Sequence, residues 1–318
     1  MNTIVCCLCG SERTRLLSQA HDYITGEPFN LVQCQSCGLS FVNPQPRVQD
    51  LSRYYPQAHQ RSEPAAYERM DAKPRVKFVT ALRNGKPARV LDIGCGKGLL
   101  LAGLQQQGWY GVGIEMSENS AAVAKQLGVK VLTKPLDECL IEPGTFDVIC
   151  LYHSLEHMAR PNRTLEQVRT LIAPEGHLVI EVPNYGSWYA RAFGNAWFHL
   201  DVPRHLYHFT RHTLSAMLEG TGFAVERVET RHAQYDAFGA VQSTLNLFMR
   251  DKNLLNSFNT GEVTWLDIRS SPHPLWRGFM LLVSEASLLV GYPLFLGLGA
   301  IAAPFLEGGT LRIVARPR

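Results

Sequence analysis

The sequence predicts an α/β protein whose parallel sheet is doubly wound, with helices on both faces, and three observations indicate this class. Short apolar runs alternate with helix-like stretches of about ten residues from position 89 onward, as successive βαβ units require. Glycines or prolines close most of these segments. With 318 residues, of which 46% are hydrophobic and 19% charged, the chain is long enough to bury a sizeable core.

Each element follows from a local pattern. Arg89–Ile93 is an apolar run that ends in glycines, which is typical of a buried strand meeting a tight turn. Gly108, Gly128 and Gly220 each end a helix-like stretch, as glycine commonly does. In chain order, the predicted strands are 89–93, 111–115, 129–132, 146–151, 177–182, 223–229 and 311–315, and the predicted helices are 99–107, 120–127, 162–172 and 213–219.

The chain divides into four predicted parts. Residues 1–45 hold five of the eight cysteines and form a small metal module, and 46–74 is a polar connector rich in proline, tyrosine and arginine. The alternation of strands and helices occupies 75–231 and resumes in 310–318, so these two ranges form the main domain. Residues 232–309 do not follow the alternation, and they are predicted to be an apolar helical insertion before the last strand.

A glycine-rich turn, Asp92-Ile-Gly-Cys-Gly-Lys-Gly98, joins the first predicted strand to the first helix. Such a turn presents backbone N–H groups and the positive end of a helix to a ligand, and glycine lets the ligand approach the backbone. Glu115 ends the second strand, where its carboxylate can accept both ribose hydroxyls of an adenosine group. A tight turn without a ligand is the alternative interpretation.

A dinucleotide is the main rival ligand. Its fingerprint is G-x-G-x-x-G, whereas the glycines here are Gly94, Gly96 and Gly98, and Leu99 occupies the third fingerprint position. Asp92, directly before the turn, suits a ligand that bears positive charge better than it suits a pyrophosphate. The spacing therefore disfavours a dinucleotide.

The region from Val90 to Val182 resembles the core of class I S-adenosylmethionine-dependent methyltransferases, which have a Rossmann-like sheet of seven strands. Asp92–Gly98 is similar to the first motif of that family, Phe146–His157 to its fourth motif, and Ala173–Ile180 to its fifth-strand signature. The resemblance implies S-adenosylmethionine as the cofactor. The cofactor-binding residues that it implies are Asp92, Gly94, Cys95, Gly96, Gly98, Glu115, Met116, Pro135, Leu136 and Tyr152.

Two Cys-x-x-Cys pairs, Cys6/Cys9 and Cys34/Cys37, are each followed by a glycine. Their spacing is typical of a zinc ribbon, in which four thiolates close a tetrahedral site of structural character. Cys7 is an extra thiol that could replace a neighbouring ligand, and free or redox-active cysteines are the alternative. A zinc ribbon before this core resembles a group of bacterial methyltransferases, some of which act on nucleotide-linked sugars or other small metabolites.

Methyl transfer to a hydroxyl often needs a group that removes a proton, and ligands of parallel sheets bind beyond the carboxyl ends of the strands. His153 follows the fourth predicted strand, and His205 and His208 belong to the aromatic run Trp197–Phe209. Histidine suits proton transfer at neutral pH. We therefore predict His205 or His208 as the general base, with His153 as the next candidate; a structural role is the alternative for each.

The segment Ala286–Leu306 contains no charged residue and is long enough to cross a bilayer. Gly291, Pro293 and Pro304 are predicted to break it into shorter pieces, which favours a re-entrant or surface-lying hairpin. Peripheral membrane contact through 276–306 and a buried helical pair that forms a lid or homodimer interface both stay open. The arginines predicted to meet anionic lipid headgroups are Arg277, Arg312, Arg316 and Arg318.

These patterns predict a methyltransferase that acts on a hydroxyl of a small or lipid-linked metabolite. A nucleotide-sugar methyltransferase and a scaffold that binds cofactor or zinc without turnover are the alternatives. The net charge of +3, without a basic stripe, disfavours nucleic acid as a partner. The N-terminus has no pattern of a secretory signal, so we expect a cytoplasmic protein, with 276–306 as its contact to the inner face of the membrane if that segment meets lipid.

Overall fold

The computed structural model describes residues 1–55, 66–249, 251–261, 263–305 and 307–318. The chain forms two units. The first comprises Met1–His59, Pro183–Thr213 and Glu229–Leu311, and the second comprises Gln60–Val182, Leu214–Val228 and Arg312–Arg318. Residues 56–65 of the predicted connector, and Leu306 at the end of the predicted apolar segment, lie outside the described residues.

The secondary structure of the described residues alternates as the sequence predicts from β4 onward. The strands are β1 (Thr14–His21), β2 (Pro28–Cys34), β3 (Ser40–Val42), β4 (Arg89–Ile93), β5 (Tyr110–Ile114), β6 (Lys130–Leu132), β7 (Phe146–Tyr152), β8 (Ile172–Pro183), β9 (Tyr207–His208), β10 (Phe223–Glu229) and β11 (Thr310–Pro317). The α-helices are α1 (Ala66–Ala81), α2 (Leu99–Gln105), α3 (Glu118–Gln126), α4 (Pro161–Leu171), α5 (Trp188–Phe193), α6 (Arg211–Gly220), α7 (Ala233–Phe248), α8 (Leu254–Thr260), α9 (Trp265–Arg269) and α10 (Pro274–Ala302).

Seven of the described strands form one sheet in the order β10-β11-β8-β7-β4-β5-β6. The pairs β4/β5, β4/β7, β5/β6 and β7/β8 are parallel, which confirms the predicted α/β class and its seven strands. Strand β8 begins at Ile172 rather than at His177, because Ile172 already pairs with Phe146 of β7, and a register shift accommodates the residues before the pair His177–Val148.

The helices of this sheet cover it with regularly spaced apolar side chains. Leu100, Leu101 and Leu104 of α2 are buried, as are Leu165 and Val168 of α4. Each such side chain stabilises the fold by about 1.5–3 kcal/mol relative to an exposed position. The packing of these helices against the strands therefore fixes the ends of the strands, where the predicted site residues lie.

The first unit contains a four-stranded sheet in the order β1-β2-β3-β9, and its strands pair antiparallel. Its last strand comes from the aromatic run, since His208 pairs with Ser40 and Tyr207 with Phe41. This run therefore belongs with the N-terminal strands, whereas the sequence pattern assigned it to 75–231. The sequence pattern did not indicate this because the backbone pairing joins residues about 170 positions apart, and a local pattern cannot predict such a contact.

A buried ion pair supports the same arrangement. The guanidinium of Arg204 lies 2.8 Å from the Asp22 carboxylate and 2.6 Å from that of Asp201, and it stacks 4.3 Å from the ring centre of Tyr23. Burial lowers the pKa of Arg204, but the two carboxylates outweigh that effect and raise it. Arg204 thus holds the turn before His205 against the end of β1.

The predicted break in the apolar segment is wrong. Residues from Pro274 to Ala302 form one continuous helix of 29 residues, α10, with Pro293 inside it. A proline in a helix interior costs about 3 kcal/mol, so packing must outweigh local propensity. Gly291 supplies such packing, because a Cβ atom there would lie 3.0 Å from Val241 of α7.

Three of the four arginines predicted to meet lipid headgroups form ion pairs within the protein. Arg312 donates from Nε to Glu181 over 2.7 Å, and Arg316 Nε lies 2.8 Å from a Glu226 oxygen. Arg277 Nε lies 2.7 Å from an Asp251 oxygen. These ion pairs lie within the unit to which each arginine belongs, and the contact with lipid headgroups stays a prediction.

Candidate functional site

The turn between β4 and α2 places its glycines in the left-handed region of backbone space. The φ angles are +78° at Gly94, +53° at Gly96 and +73° at Gly98. A Cβ atom at Gly94 would lie 2.6 Å from the Ser154 Cβ, and one at Gly98 would lie 2.7 Å from the Ala124 Cβ. A Cβ at Gly96 would meet no described atom within 4 Å. Packing therefore explains Gly94 and Gly98, whereas Gly96 faces open space in which a ligand fits.

The carboxylate of Glu115 organises this turn. Its Oε2 atom accepts a hydrogen bond from the Gly96 N–H over 2.9 Å, and its Oε1 accepts one from the Ser117 N–H over 2.7 Å. A carboxylate offers about four acceptor sites, so acceptor capacity is left for two ribose hydroxyls. The predicted role of Glu115 stays a prediction, and the geometry fits it.

Asp92 is a buried carboxylate at the end of β4, with 4% of its surface exposed. It lies in register with Gly113 of β5 and Cys150 of β7. Burial raises the pKa of Asp92 to about 7; Arg75 opposes this rise and the Glu115 carboxylate adds to it. Within the described ranges, its Oδ1 atom has no hydrogen-bond partner. A buried carboxylate of this kind is stabilised by a cationic ligand, so it fits the cofactor that the sequence implies.

The predicted adenine-side residues follow neighbouring strands. Met116 comes two residues after β5 and is 59% exposed, and Pro135 and Leu136 follow β6 at the start of a short 3₁₀ turn. Because β5 and β6 are parallel neighbours, these loops leave the same edge of the sheet. Cys95 differs, because its side chain is buried and packs toward Gly113, so only its backbone can face a ligand.

Tyr152 ends β7 with its ring buried beneath a guanidinium. The Arg75 carbon Cζ lies 4.5 Å from the ring centre, and burial raises the pKa of Tyr152 well above its usual range. Its hydroxyl has no hydrogen-bond partner in the part of the chain that the structure describes. Tyr152 is therefore a second buried polar group, besides Asp92, with capacity for a ligand.

Glu181 of β8 is fully buried, and three cationic side chains surround it. Its carboxylate lies 3.0 Å from Arg75 and 3.3 Å from His153 Nε2, and it also accepts from Arg312. Burial alone raises the pKa of Glu181, but Arg75, His153 and Arg312 together hold it well below its usual range. The sequence pattern does not predict this network. The one indication of it in the sequence is the charged residue Glu181 within the apolar run His177–Val182.

His153 is clamped between two buried carboxylates. Its φ is +50°, its N–H donates to the Glu181 carbonyl over 2.8 Å, and its Nδ1 lies 3.5 Å from Glu156. Burial lowers the pKa of His153, but Glu156 and Glu181 outweigh it and raise the pKa to about 9. The ring therefore carries its proton at neutral pH, which suits a positioning role better than the predicted role of base.

His205 and His208 lie in the first unit, and a backbone carbonyl determines the tautomer of each. His205 Nδ1 lies 2.8 Å from the His199 carbonyl oxygen, and His208 Nε2 lies 2.8 Å from the Leu200 carbonyl oxygen. A carbonyl only accepts, so these nitrogens carry the hydrogens. In the neutral form, the lone pair lies on Nε2 of His205 and on Nδ1 of His208. The Asp201 carboxylate lies 4.0 Å from the His205 Nε2.

The four predicted metal ligands come together. The Sγ atoms of Cys6 and Cys37 are 3.4 Å apart, those of Cys9 and Cys34 are 3.5 Å apart, and all four lie within 4.8 Å of one another. Zinc bound at about 2.3 Å by four thiolates separates the sulfurs by about 3.8 Å, which this cluster fits. Cys7 is not part of the cluster.

Comparisons with known proteins point to one family. Residues 58–228 match a sequence family described as "Methyltransferase domain". The "Ubiquinone biosynthesis O-methyltransferase" of Coxiella burnetii is 32% identical over 116 residues, which are 35% of this chain and 50% of that protein. The protein of the same name from Dechloromonas aromatica is 36% identical over 103 residues, 30% of this chain and 44% of that protein. The chain thus spans about half the length of these curated relatives.

A solved structure from Haemonchus contortus shares the fold. It is described as "Phospholethanolamine N-methyltransferase 2 in complex with phosphomonomethylethanolamine and S-adenosylhomocysteine". The match has a TM-score of 0.50 and 16% identity, and it covers 77% of this chain and 53% of that one. At this identity, the likeness supports the seven-stranded fold alone.

Proposed function

This chain belongs to the class I S-adenosylmethionine-dependent methyltransferase family, and from that premise we propose that it transfers a methyl group to a hydroxyl oxygen of a small molecule. The observation that carries the proposal is the pairing of Asp92, a buried carboxylate with an unpartnered oxygen among the described atoms, with the open space at Gly96. S-adenosylmethionine carries a sulfonium and an ammonium group, and a buried carboxylate favours both.

The other predicted cofactor-binding residues contact different parts of the cofactor. Glu115 accepts the ribose hydroxyls while the Gly96 and Ser117 N–H groups hold its carboxylate in place. Met116, Pro135 and Leu136 offer apolar surface to the adenine ring. When bound, the cofactor supplies the electrophilic methyl group. The chain binds it, orients it and excludes water from it.

A hydroxyl acceptor would gain the methyl group that the bound cofactor supplies, and it would lose its proton. The acceptor proton passes to a base, for which we assign His205, because its Nε2 holds the lone pair in the neutral tautomer. His208 is the alternative base, with its lone pair on Nδ1. His153 carries its proton at neutral pH and is assigned a positioning role.

Support for an oxygen acceptor comes from the names of the relatives that match part of the chain. A lipid-linked acceptor is the narrower substrate class that we propose, and a nucleotide-linked sugar is the alternative. A scaffold without turnover is the remaining alternative. Cysteine thiolates that bind zinc stay reduced in the cytoplasm, where we place the protein.

Transfer of labelled methyl groups into a cell extract tests this function. We expect the wild type to produce a labelled metabolite, and His205→Ala to lower turnover by about 10²–10⁴-fold without changing cofactor affinity. His212→Ala, at an exposed histidine, is the matched control and should leave turnover unchanged. Tight cofactor binding without a labelled product from any extract would favour the scaffold, and full activity of His205→Ala would refute its role as base.

We also assign structural zinc to Cys6, Cys9, Cys34 and Cys37. Metal analysis of purified protein should find one equivalent of zinc, and Cys34→Ser should lose it together with thermal stability. Cys7→Ser is the matched control, and its zinc content should equal that of the wild type. Loss of zinc in Cys7→Ser with retention in Cys34→Ser would overturn the assigned ligand set.

A further inference from the structure

Helix α10 carries an apolar stripe on its exposed side. The stripe comprises Leu275, Phe279, Leu282, Leu289, Leu294 and Ile301, all more than half exposed. Leu275, Leu282 and Leu289 recur every seven residues and are 90%, 62% and 81% exposed. In an ordinary amphipathic helix of a globular protein the exposed side is polar, so α10 shows the reverse of that pattern.

The opposite side of α10 is fixed by packing, so the stripe cannot turn inward. Leu281 and Ser284 are buried, and Gly291 approaches Val241 of α7 closely. Phe295 packs in the same apolar cluster as Val241. The exposure of the stripe is therefore a property of the folded unit.

The charge distribution favours lipid over a second copy of the chain. Between Arg277 and Ala302, Glu285 is the one charged residue. Helix pairs in water place charged residues beside their apolar seam, and protein interfaces have a polar rim. A surface without such a rim fits the hydrocarbon boundary of a bilayer. The most apolar 18-residue stretch of α10 has a mean hydropathy of 1.8 and is 11% buried, and by length and composition alone the helix could cross a membrane.

The neighbours of α10 favour a helix that lies along the bilayer rather than across it. Helix α7, which packs on α10, also buries Gln242 and Asn246, whose side chains form a hydrogen-bonded chain with Asn253. Insertion of α10 across a membrane would draw these amide groups toward hydrocarbon, where buried polar groups are costly. Contact through the stripe alone leaves them in place.

We infer that the α10 apolar stripe docks this protein on the surface of a lipid bilayer, with the helix axis parallel to the membrane. The charged residues near the start of α10 are mixed in sign: Lys252, Arg269 and Arg277 accompany Asp251 and Asp267. Attraction to anionic headgroups is therefore weak, and apolar burial provides the binding. Docking should accordingly resist salt.

Flotation of the purified full chain with phosphatidylethanolamine–phosphatidylglycerol vesicles tests the inference. We expect the wild type to float with the vesicles at low and high salt, and the double variant Leu282→Glu, Leu289→Glu to partition about tenfold less or weaker still. Leu16→Glu and Leu140→Glu make the same change at leucines that are 62% and 103% exposed on other elements, and both should float like the wild type.

Two controls keep the result interpretable. Thermal unfolding of the double variant without vesicles should match the wild type, because both leucines are exposed. Fluorescence of the wild type should shift to the blue on vesicles, since Trp276 lies at the start of α10 and is 59% exposed. A wild type that stays in the aqueous fraction without a blue shift would overturn the inference. So would a dimer in sedimentation that the double variant dissociates while neither protein floats, because the stripe would then contact a second copy.

Discussion

Protonation of Asp92 should control cofactor affinity. The buried carboxyl has a pKa of about 7, against an ordinary value of 3.8. Because a cationic ligand binds the ionised form, the affinity for S-adenosylmethionine should rise as the pH rises through about 7. The ligand's own ammonium group, with a pKa of about 8, stays protonated across pH 5–7 and does not reverse this trend.

The pKa of Asp92 determines how strongly the affinity for S-adenosylmethionine depends on pH. With a pKa of about 7, roughly 1% of Asp92 is ionised at pH 5, about 9% at pH 6 and about half at pH 7, so affinity should rise about fiftyfold across the window. The same shift means that ionising Asp92 in the ligand-free folded protein costs on the order of 4 kcal/mol more than ionising a fully solvated carboxyl. Since the pKa is raised on folding, Asp92 contributes less stability as the pH rises from about 4 to about 7.

Calorimetric titration of S-adenosylmethionine from pH 5 to pH 7 measures this dependence. Asp92→Asn should bind weakly with a flat profile, and it should raise the free energy of unfolding of the ligand-free protein at pH 8 because the buried charge is gone. Asp50→Asn, at a partly exposed carboxyl, is the control and should behave as the wild type. A pH-independent affinity in the wild type, or a pH-dependent one in Asp92→Asn, would refute the reasoning.

Three further substitutions test how the site is built. Gly98→Ala should destabilise the fold by about 2–4 kcal/mol, because its Cβ would lie 2.7 Å from that of Ala124. Gly96→Ala should cost only about 1 kcal/mol of stability, but it should lower the affinity for the cofactor at least about tenfold. Chemical denaturation measures the loss of stability, and calorimetry measures the loss of cofactor affinity. Equal losses of stability in the two variants would contradict the assignment of Gly98 to packing and of Gly96 to ligand binding. Glu181→Gln should destabilise the fold by about 2–4 kcal/mol, because it removes the buried charge that faces the partly buried guanidinium groups of Arg75 and Arg312. The His153 imidazole should then titrate below pH 9 in NMR spectra, and an unchanged titration would remove Glu181 as its partner.

The contact between the glycine turn and Glu115 was predictable because these residues are close in the sequence. Within 24 positions, Asp92 lies on β4, Gly96 lies in the turn between β4 and α2, and Glu115 directly follows the neighbouring parallel strand β5. The Glu181 network was not predictable in the same way. Arg75 and Arg312 are separated from Glu181 by 106 and 131 residues, so only the folded chain shows that a charge in the middle of an apolar strand has partners.

The predicted histidines show the same limit. Residue type and position in the chain nominate both His205 and His153, with His205 ranked first. The proton on each depends on atoms that folding brings close: two carboxylates for His153 and a backbone carbonyl for His205. Sequence patterns therefore nominate proton-transfer residues, and their surroundings decide which one can accept a proton.

By itself, the sequence determined the parallel α/β sheet, the glycine turn with its acidic partner, and the paired cysteines, because periodicity and spacing are local properties of the chain. Only the tertiary structure decided that the aromatic run joins the N-terminal sheet through β9, and that α10 continues through Pro293 with an apolar stripe exposed. Both outcomes depend on contacts between distant segments, whose free energies outweigh the local preferences that a sequence displays.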